Sequence, residues 1–102
     1  MSIKKQYIKG KDLCKVTFTL PKEAVKSAKR VYIVGEFNDW NIYATPMKKQ
    51  KNGAFTVTLN LEKGREYQFR YLIDEMVWEN DWHADRYAPT PFGDCDNSIV
   101  VV

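Results

Sequence analysis

The sequence contains little of what metal binding and thiol catalysis require. It has one histidine, His83, and two cysteines, Cys14 and Cys95, which form no C-x-x-C pair and no zinc-like spacing. The sequence therefore predicts no metal site, no Cys–His catalytic pair and no cofactor. A disulfide between the two cysteines is geometrically feasible but nothing indicates it, and two free thiols in a reducing compartment are the simpler interpretation.

Long apolar runs are also absent. No stretch approaches the roughly 18 apolar residues of a membrane-spanning helix. Lys4, Lys5 and Lys9 near the N-terminus are not followed by an apolar segment, so we expect no signal peptide. These features predict a protein without a membrane partner and with a cytoplasmic location.

The composition is that of an ordinary globular protein. The 102 residues are 44% hydrophobic and 28% charged, and no repeat, linker or low-complexity segment divides them. We therefore expect one domain spanning residues 1–102, in which residues 1–12 form a loosely ordered N-terminal arm. The aromatic content of 14% exceeds what a core of this size obviously needs, and this excess points to binding.

The charge is unevenly distributed along the chain. The formal net charge is +3, and residues 1–30 carry nine Lys or Arg, whereas residues 74–96 carry seven acids and one base. A nucleic-acid surface needs basic groups interleaved with exposed aromatics. Because most candidate aromatics lie in the acidic half, the sequence disfavours a nucleic-acid partner.

Alternating apolar residues and turn signals predict about seven strands and no secure helix. The predicted strands are Lys11–Leu20, Val31–Gly35, a short strand near Thr45–Lys48, Ala54–Leu61, Glu66–Ile73, Met76–Glu79 and Asn97–Val102. Residues 22–29 form a loop with one helical turn in this prediction, and residues 81–96 form a long loop. Short strands with turns every 8–12 residues predict an all-β, antiparallel immunoglobulin-like sandwich, with an OB-type barrel as the alternative.

The segment Val31–Trp40, VYIVGEFNDW, is central to the prediction of function. It begins as a buried strand, breaks at Gly35, and continues into a polar turn that ends at Trp40. A tryptophan at a strand exit is unusual, because so large a ring normally requires cover. A ring held there beside amide and carboxylate groups is suited to stacking on a sugar, although a tryptophan that closes the end of a β-core explains the segment equally well.

A sugar-binding surface needs aromatic planes for the C–H faces of a pyranose and polar side chains for its hydroxyls. The candidate planes are Trp40, Trp78 and Trp82, with Tyr87 and Phe92 behind them. Trp78 follows a predicted hairpin turn in a polar stretch, where packing explains it least, and we assign it to binding. Trp82 and Tyr87 are expected to cover the core beneath the long loop. Arg70 faces away from Phe69 and Tyr71, so it is free to reach a hydroxyl.

Catalysis would have to rely on the carboxylates near the end of the chain. The acids in question are Asp74, Glu75, Glu79, Asp81 and Asp85. A glycosidase pair also needs a cleft that surrounds a sugar ring and raises one pKa, which adjacent loops of a small sandwich do not offer. We therefore predict no enzyme activity and assign these acids to hydrogen bonds that stabilise turns.

Three stretches together resemble a known domain type. Val31–Trp40, then Tyr67–Asp74 followed by Trp78, then Phe92-Gly93 before the last strand resemble the glycogen-binding domain, carbohydrate-binding module family 48. This early-set sandwich occurs at the N-terminus of isoamylases and glycogen-branching enzymes and in the β subunit of AMP-activated protein kinase. The likeness covers residues 16–102 and is most specific in the G-x-F-N-x-W turn and the Y-x-F-[RK]-…-D-…-W hairpin. The chain also resembles small free-standing bacterial proteins that consist of this domain alone.

The resemblance assigns roles to individual residues. The two sugar-stacking tryptophans of the family fall on Trp40 and Trp78, and its basic residue that binds glucose hydroxyls falls on Arg70. The apolar residue that inserts through a bound sugar ring falls on Phe92. The polar partners of the last loop fall on Asp94 and on Asp96 or Asn97.

Two departures from the family pattern accompany these assignments. The hairpin Asp74–Trp78 lacks the usual glycine after the aspartate and is one residue longer than in the kinase subunit. We therefore expect the Trp78 ring to be oriented differently from the corresponding ring of the family. In the last loop, Phe92 is flatter than an aliphatic side chain, and acids replace the family's Thr and Asn.

The resemblance implies non-catalytic binding of α-1,4-linked glucans such as glycogen, starch and maltooligosaccharides, in carbohydrate storage metabolism. A shallow groove predicts weak affinity, roughly micromolar to millimolar. A glycogen-metabolising enzyme is a further expected partner. The alternatives are an interaction or regulatory module that has lost sugar binding, an accessory domain of a glycoside hydrolase or branching enzyme, and a small glycosidase.

Overall fold

The computed structural model describes residues 3–25, 27–90 and 96–102. This part of the chain is built of strands joined by short turns, with one four-residue helix, α1 (Lys22–Val25), and a 3-10 helix at Glu36–Asn38. The strands are β1 (Ile3–Tyr7), β2 (Leu13–Leu20), β3 (Val31–Gly35), β4 (Lys48–Lys49), β5 (Phe55–Glu62), β6 (Glu66–Ile73), β7 (Val77–Glu79), β8 (Arg86–Pro89) and β9 (Asp96–Val101).

The described strands form two antiparallel sheets that pack face to face. The first sheet has the order β1-β2-β5-β4, and the second has the order β3-β6-β9-β8, with β7 paired to β6. β9 and β7 share one edge of β6, because β9 pairs with Glu66–Phe69 and β7 pairs with Tyr71–Ile73. The predicted antiparallel sandwich is confirmed, and the two separate sheets exclude the alternative of a barrel.

The core lies between the sheets and follows the alternation of the sequence. Cys14, Val16, Phe18 and Leu20 are all buried, while the residues between them on β2 are more exposed. On β6 the buried inner residues are Tyr67, Phe69, Tyr71 and Ile73. Each large apolar side chain buried in this way contributes about 1.5–3 kcal/mol, which fixes the register of both strands.

The N-terminal residues correct a prediction. We expected residues 1–12 to be a loosely ordered arm, but Ile3–Tyr7 form an edge strand along the whole of Cys14–Phe18. Ile3 is buried in the core, and the Lys5 Nζ lies 2.7 Å from a carboxylate oxygen of Asp85. The segment was missed because IKKQY contains too few apolar residues to show strand alternation.

The predicted short strand near Thr45–Lys48 lies later in the chain than expected, at Lys48–Lys49. The segment that contains it bonds to strands of both sheets. The main chain of residues 45–47 bonds to β3, through Ile33 N to Thr45 O (3.1 Å) and Met47 N to Val31 O (2.8 Å). The next two residues form β4 against β5 of the first sheet. This crossing covers the outer edge of β3, an edge that would otherwise present unpaired backbone groups.

A further strand lies within the predicted long loop. Arg86–Pro89 form β8, which pairs with β9 from Asp96 to Ile99. The sequence pattern did not predict β8, because this strand has only four residues and ends in a proline. Proline is tolerated only at strand ends and edges. The Cys14 thiol is free and buried, and Cys95 lies outside the described residues. Within the described ranges, no helix is long and apolar enough to cross a membrane.

Candidate functional site

The outer face of the second sheet carries the polar and aromatic groups that the sequence singled out. Residues directly opposite each other on paired strands project to the same face. Arg70 is opposite Val34, and Leu72 is opposite Trp78. Arg70 and Leu72 alternate with the inward Phe69 and Tyr71, so Arg70, Leu72 and Trp78 all belong to the outer face.

Arg70 and Trp78 meet on this face. The guanidinium carbon of Arg70 lies 5.6 Å from the centre of the Trp78 ring, within the range of a cation–π interaction. Trp78 is 42% exposed, so a substantial part of the indole remains available. The Arg70 Nε is buried and has no hydrogen-bond partner among the described residues, and the contact with Trp78 therefore holds an arginine with unused hydrogen-bonding capacity.

Asn97 joins the same face from β9. The pairing of Phe69 with Ser98 places Asn97 beside Arg70 on the outer side. Its Nδ2 donates to the Gln68 Oε1 at 3.0 Å, which orients the amide. Asp96 precedes it and is exposed, and the Asp96 carbonyl accepts a 2.8 Å hydrogen bond from Asn80 Nδ2.

The turn after β3 is held together by Asn38. Its Nδ2 donates to Ile33 O and to Thr45 Oγ1, both at 3.0 Å, and its Oδ1 accepts from Gly35 N at 3.0 Å. The amide is therefore engaged within the protein. Phe37 anchors the turn to the core, since its ring packs against those of Phe18, Tyr67 and Phe69.

Trp40 is presented at the surface by this turn. Asp39 and Trp40 both have positive φ, at 56° and 58°, and Trp40 N donates to Gly35 O at 2.9 Å. The Trp40 side chain is 39% exposed. The left-handed pair directs the chain out of the strand and leaves the indole partly uncovered rather than buried in the core.

The attachment points of Trp40 and Trp78 flank Arg70. Gly35, which anchors Trp40, is opposite Phe69, the neighbour of Arg70 on β6. Trp78 lies on β7, along the other edge of β6 from β3. The main chain thus attaches Trp40 and Trp78 on opposite sides of the strand that carries the arginine.

A buried carboxylate that the sequence had assigned to a turn is part of a larger network. Asp81 is 1% exposed. Its Oδ2 accepts from Tyr71 OH at 2.6 Å, and its Oδ1 accepts from His83 N at 2.8 Å. Burial, followed by the nearby Asp81 carboxylate, raises the pKa of Tyr71 well above its ordinary value.

The same network ties the segment after Trp78 to β9. Asp81 N donates to Ser98 Oγ at 2.9 Å, and Ser98 Oγ donates to Asn80 Oδ1 at 2.8 Å. Both serine contacts lie at the end of β7, so they fix the strand that carries Trp78. Sequence reasoning missed this role because nothing in the stretch WENDW distinguishes an interior aspartate from a solvated one.

Trp82 and Tyr87 differ from the expectation that they cover the core. Both are about half exposed, Trp82 at 48%, and that prediction is wrong. Tyr87 instead braces the loop, since its hydroxyl donates to the Asp81 carbonyl and accepts from Ala84 N. The Tyr87 hydroxyl thus holds the loop through its main chain, while both rings remain at the surface.

The other acids have structural partners. Asp74 Oδ1 accepts from Lys29 N at 2.8 Å and Arg30 N at 2.9 Å. These backbone bonds, that from Arg30 first, hold the pKa of Asp74 below its ordinary value. Asp85 Oδ2 accepts from Val101 N at 2.7 Å. Among the described residues, no group of three or more His, Cys, Asp or Glu side chains is arranged to hold a metal ion.

Of the predicted site residues, Arg70, Trp78 and Asn97 lie together on the outer face, Trp40 is attached next to them, and Asp96 is exposed at the start of β9. Phe92 and Asp94 lie outside the described residues. Tyr32 also belongs to this face, opposite Leu72, and sequence reasoning did not identify it. Only the β3–β6 register reveals its position.

Comparison with known families identifies a matching family. The family model described as the glycogen recognition site of AMP-activated protein kinase matches residues 16–102. These residues include every strand except β1 and the first part of β2. No curated protein matches the chain significantly.

Proposed function

Because the chain belongs to the family of the glycogen recognition site of AMP-activated protein kinase, we propose that it binds α-1,4-linked glucans on the outer face of its second sheet. One observation supports this most directly: the Arg70 guanidinium lies 5.6 Å from the centre of a half-exposed Trp78 ring. A planar apolar surface and a fixed hydrogen-bond donor stand side by side there. These are the two kinds of group that a pyranose requires.

The chemistry divides between stacking and hydrogen bonding. The indoles of Trp40 and Trp78 bury the C–H faces of glucose units, and each ring contributes on the order of 1–3 kcal/mol by analogy with base stacking. Arg70 donates to paired hydroxyls, and its planar fork favours two parallel hydrogen bonds over the single point charge of a lysine. Asn97 is 9% exposed and its Nδ2 donates to Gln68, so its amide oxygen is the group that it offers to the ligand.

The last loop contributes the remaining contacts of this proposal. Phe92 packs against a bound sugar ring, and Asp94 and Asp96 accept hydrogen bonds from its hydroxyls. Acidic side chains accept but do not donate when ionised, so they complement Arg70, which donates.

The site binds glucans without cleaving them. Two of the acids considered for catalysis have structural partners, since Asp74 accepts a backbone hydrogen bond from Lys29 and Asp81 accepts one from His83. Within the described part of the chain, neither carboxylate has a second carboxylate as a hydrogen-bond partner, whereas glycoside hydrolysis requires a pair of carboxylates. The half-open face further favours weak binding, roughly micromolar to millimolar. A role in carbohydrate storage in the cytoplasm, beside a glycogen-metabolising enzyme, follows from the same assignment.

Isothermal titration calorimetry with maltoheptaose tests the proposal. We expect saturable binding by the wild-type chain, at least a tenfold higher Kd in Trp78→Ala, about 1.4 kcal/mol, and a smaller increase in Arg70→Ala. Trp82→Ala is the matched control, because it removes an equally exposed indole from the neighbouring loop and is expected to bind like the wild type.

Two outcomes would contradict the proposal. An absence of heat with maltoheptaose at millimolar concentration would favour a module that docks to a partner enzyme instead. The appearance of shortened products on incubation with maltooligosaccharides would favour a glycosidase.

A further inference from the structure

A row of side chains crosses the outer face of the second sheet beyond Arg70. Tyr32 on β3 is directly opposite Leu72 on β6, and Leu72 is directly opposite Trp78 on β7. Pro46 continues the row on the other side, through an isolated bridge to Tyr32. Four adjacent chain segments thus place a proline, a tyrosine, a leucine and a tryptophan in one line.

Tyr43 stands on the Tyr32 end of this row. The two ring centres are 6.0 Å apart with their planes at 90°, the edge-to-face geometry that aromatic pairs favour. Tyr43 is 60% exposed, more than Trp40 or Trp78. The Tyr43 ring is therefore in contact with Tyr32 on one side and largely exposed to solvent elsewhere.

The loop beneath Tyr43 is ordered by local hydrogen bonds. Tyr43 N donates to Asn41 Oδ1 at 3.0 Å, and Ala44 N donates to Asn41 O at 3.3 Å. The next residue, Thr45, accepts through its Oγ1 from the Asn38 amide that closes the Trp40 turn. The ring of Tyr43 is thus carried on the same braced segment as Trp40, so little conformational entropy remains to be lost on binding.

We propose that Tyr43 is an additional aromatic subsite that extends the glucan-binding face past Trp40 and Trp78. This inference rests on the proposed function and adds a preference for longer α-glucan chains. Neighbouring strands lie about 4.8 Å apart, so Tyr32 and Trp78 are separated by about 10 Å across β6. The centre of the Tyr43 ring lies 6.0 Å from that of Tyr32, and Tyr43 shortly precedes the residues that bond to the outer edge of β3.

The width of the platform makes the effect dependent on ligand length. A short oligosaccharide that covers Trp78 and Arg70 does not extend to Tyr43. A longer chain covers both ends and gains the contact with the additional ring. The contribution of Tyr43 should therefore be present with maltoheptaose and absent with maltotriose.

Calorimetric titration of Tyr43→Ala with both ligands tests the inference. We expect the Kd for maltoheptaose to rise about fivefold or more, as for loss of one stacked ring. The Kd for maltotriose should stay within a factor of two of the wild type. Trp78→Ala should weaken the binding of both ligands.

Three further variants separate stacking from other effects. Tyr43→Phe keeps the ring and should bind like the wild type, and Tyr43→Leu keeps apolar volume without an aromatic plane and should resemble Tyr43→Ala. Tyr7→Ala removes another exposed tyrosine from β1 of the first sheet and should bind both ligands normally. Thermal unfolding of each variant verifies that the fold is retained.

The results distinguish the two proposals. If the wild type binds neither ligand, the proposed function is overturned together with this inference. If the wild type binds both and Tyr43→Ala matches it for maltoheptaose, the inference fails and the proposed function stands. Equal weakening for both ligands also overturns the inference, because it would mean that Tyr43 supports the site at Trp40 and Trp78 instead of extending it.

Discussion

Gly35 is required for space rather than for conformational freedom. Its φ of −170° is extended backbone that any residue adopts. A Cβ at this position would lie 2.5 Å from the Gln68 carbonyl oxygen and 2.7 Å from the Phe69 Cβ. β3 and β6 therefore approach this closely only because residue 35 has no side chain, and the Trp40 turn starts from that close contact.

We expect Gly35→Ala to lower the free energy of unfolding by about 1–3 kcal/mol, since the neighbouring main-chain oxygen cannot move without disturbing the sheet. Maltoheptaose affinity should also fall, because Trp40 N is bonded to the Gly35 carbonyl. Urea denaturation and calorimetry measure the two effects. Gly10→Asn is the comparison, because that site has open space and a φ of 80° that asparagine tolerates. A loss no larger in Gly35→Ala than in Gly10→Asn would contradict the steric explanation.

The hydroxyl of Tyr71 is predicted to contribute to stability through Asp81. Tyr71→Phe removes the 2.6 Å donor to Asp81 Oδ2 and leaves a buried acceptor without that partner, which costs about 1–3 kcal/mol. Urea denaturation at pH 7 measures the change. Tyr43→Phe removes an exposed hydroxyl and should change the free energy of unfolding by no more than about 0.5 kcal/mol.

The alkaline pH dependence gives an independent measurement of the same hydroxyl. The pKa of Tyr71 is raised by folding, so its contribution is complete below the unfolded value of about 10 and is lost as the pH rises above that value. The wild type should therefore lose more stability than Tyr71→Phe between pH 9.5 and 11. Parallel curves for the two proteins would show that Tyr71 ionises as readily in the folded state as in the unfolded chain.

Among the elements, the β6–β7 hairpin shows how a turn without glycine is held. Asp74 and Glu75 both have positive φ, at 51° and 60°, a conformation that costs roughly 1–2 kcal/mol per non-glycine residue. The Asp74 carboxylate accepts two backbone bonds from Lys29 and Arg30, and Asp74 N donates to Arg30 O at 2.8 Å. These bonds fasten the turn to the loop before β3 and offset the conformational cost.

Asp74 should make the stability of the hairpin depend on acid pH. Because folding lowers the Asp74 pKa, its contribution is present above the unfolded value of about 4 and is lost as the pH falls through the lower folded value. The wild type should thus exceed Asp74→Asn in unfolding free energy at pH 6, and the difference should shrink by pH 2. A constant offset between wild type and Asp74→Asn would contradict the assignment.

Sequence patterns predict a strand when apolar and polar residues alternate over most of its length. β2 alternates apolar and polar residues from Cys14 to Leu20, and β6 does so from Glu66 to Tyr71, which leaves one face for the core and fixes the element type. β1 and β8 have no such pattern, because edge strands have fewer buried contacts and need fewer apolar side chains. Their existence depends on the backbone hydrogen bonds offered by β2 and β9, and these are visible only in the fold.

On the scale of the whole molecule, the sequence predicts the residue types of the site but not their contacts. Trp78 and Arg70 are eight positions apart, and they meet only because the hairpin register pairs Leu72 with Trp78. A slip of one residue would place Trp78 on the inner face. Tyr32 and Trp78 belong to one row through two strand pairings, and Tyr43 is linked to that row by its ring contact with Tyr32. No local pattern in the sequence encodes such an arrangement.

The two outer faces of the sandwich have different surface chemistry. The first sheet carries cross-strand hydroxyl pairs, such as Thr17 with Thr58 at 3.0 Å, whereas the second carries the indoles and Arg70. β1 links the first sheet to the second, because Ile3 packs in the core between them and Lys5 forms an ion pair with Asp85 on the loop before β8. This strand should therefore matter for stability without taking part in binding.

Deletion of residues 1–7 tests that division of roles. Loss of the buried Ile3 side chain alone should cost about 1.5–3 kcal/mol, and exposure of the β2 edge adds to it, so urea denaturation should show a loss of about 2 kcal/mol or more. Lys5→Ala alone should cost at most about 1 kcal/mol, as for a partly exposed ion pair. Maltoheptaose affinity should be unchanged at a temperature where the deletion variant remains folded, because the ligand binds the opposite sheet. An unaltered unfolding free energy would mean that β1 adds nothing to the sandwich, and reduced affinity in a folded variant would place part of the site on the first sheet.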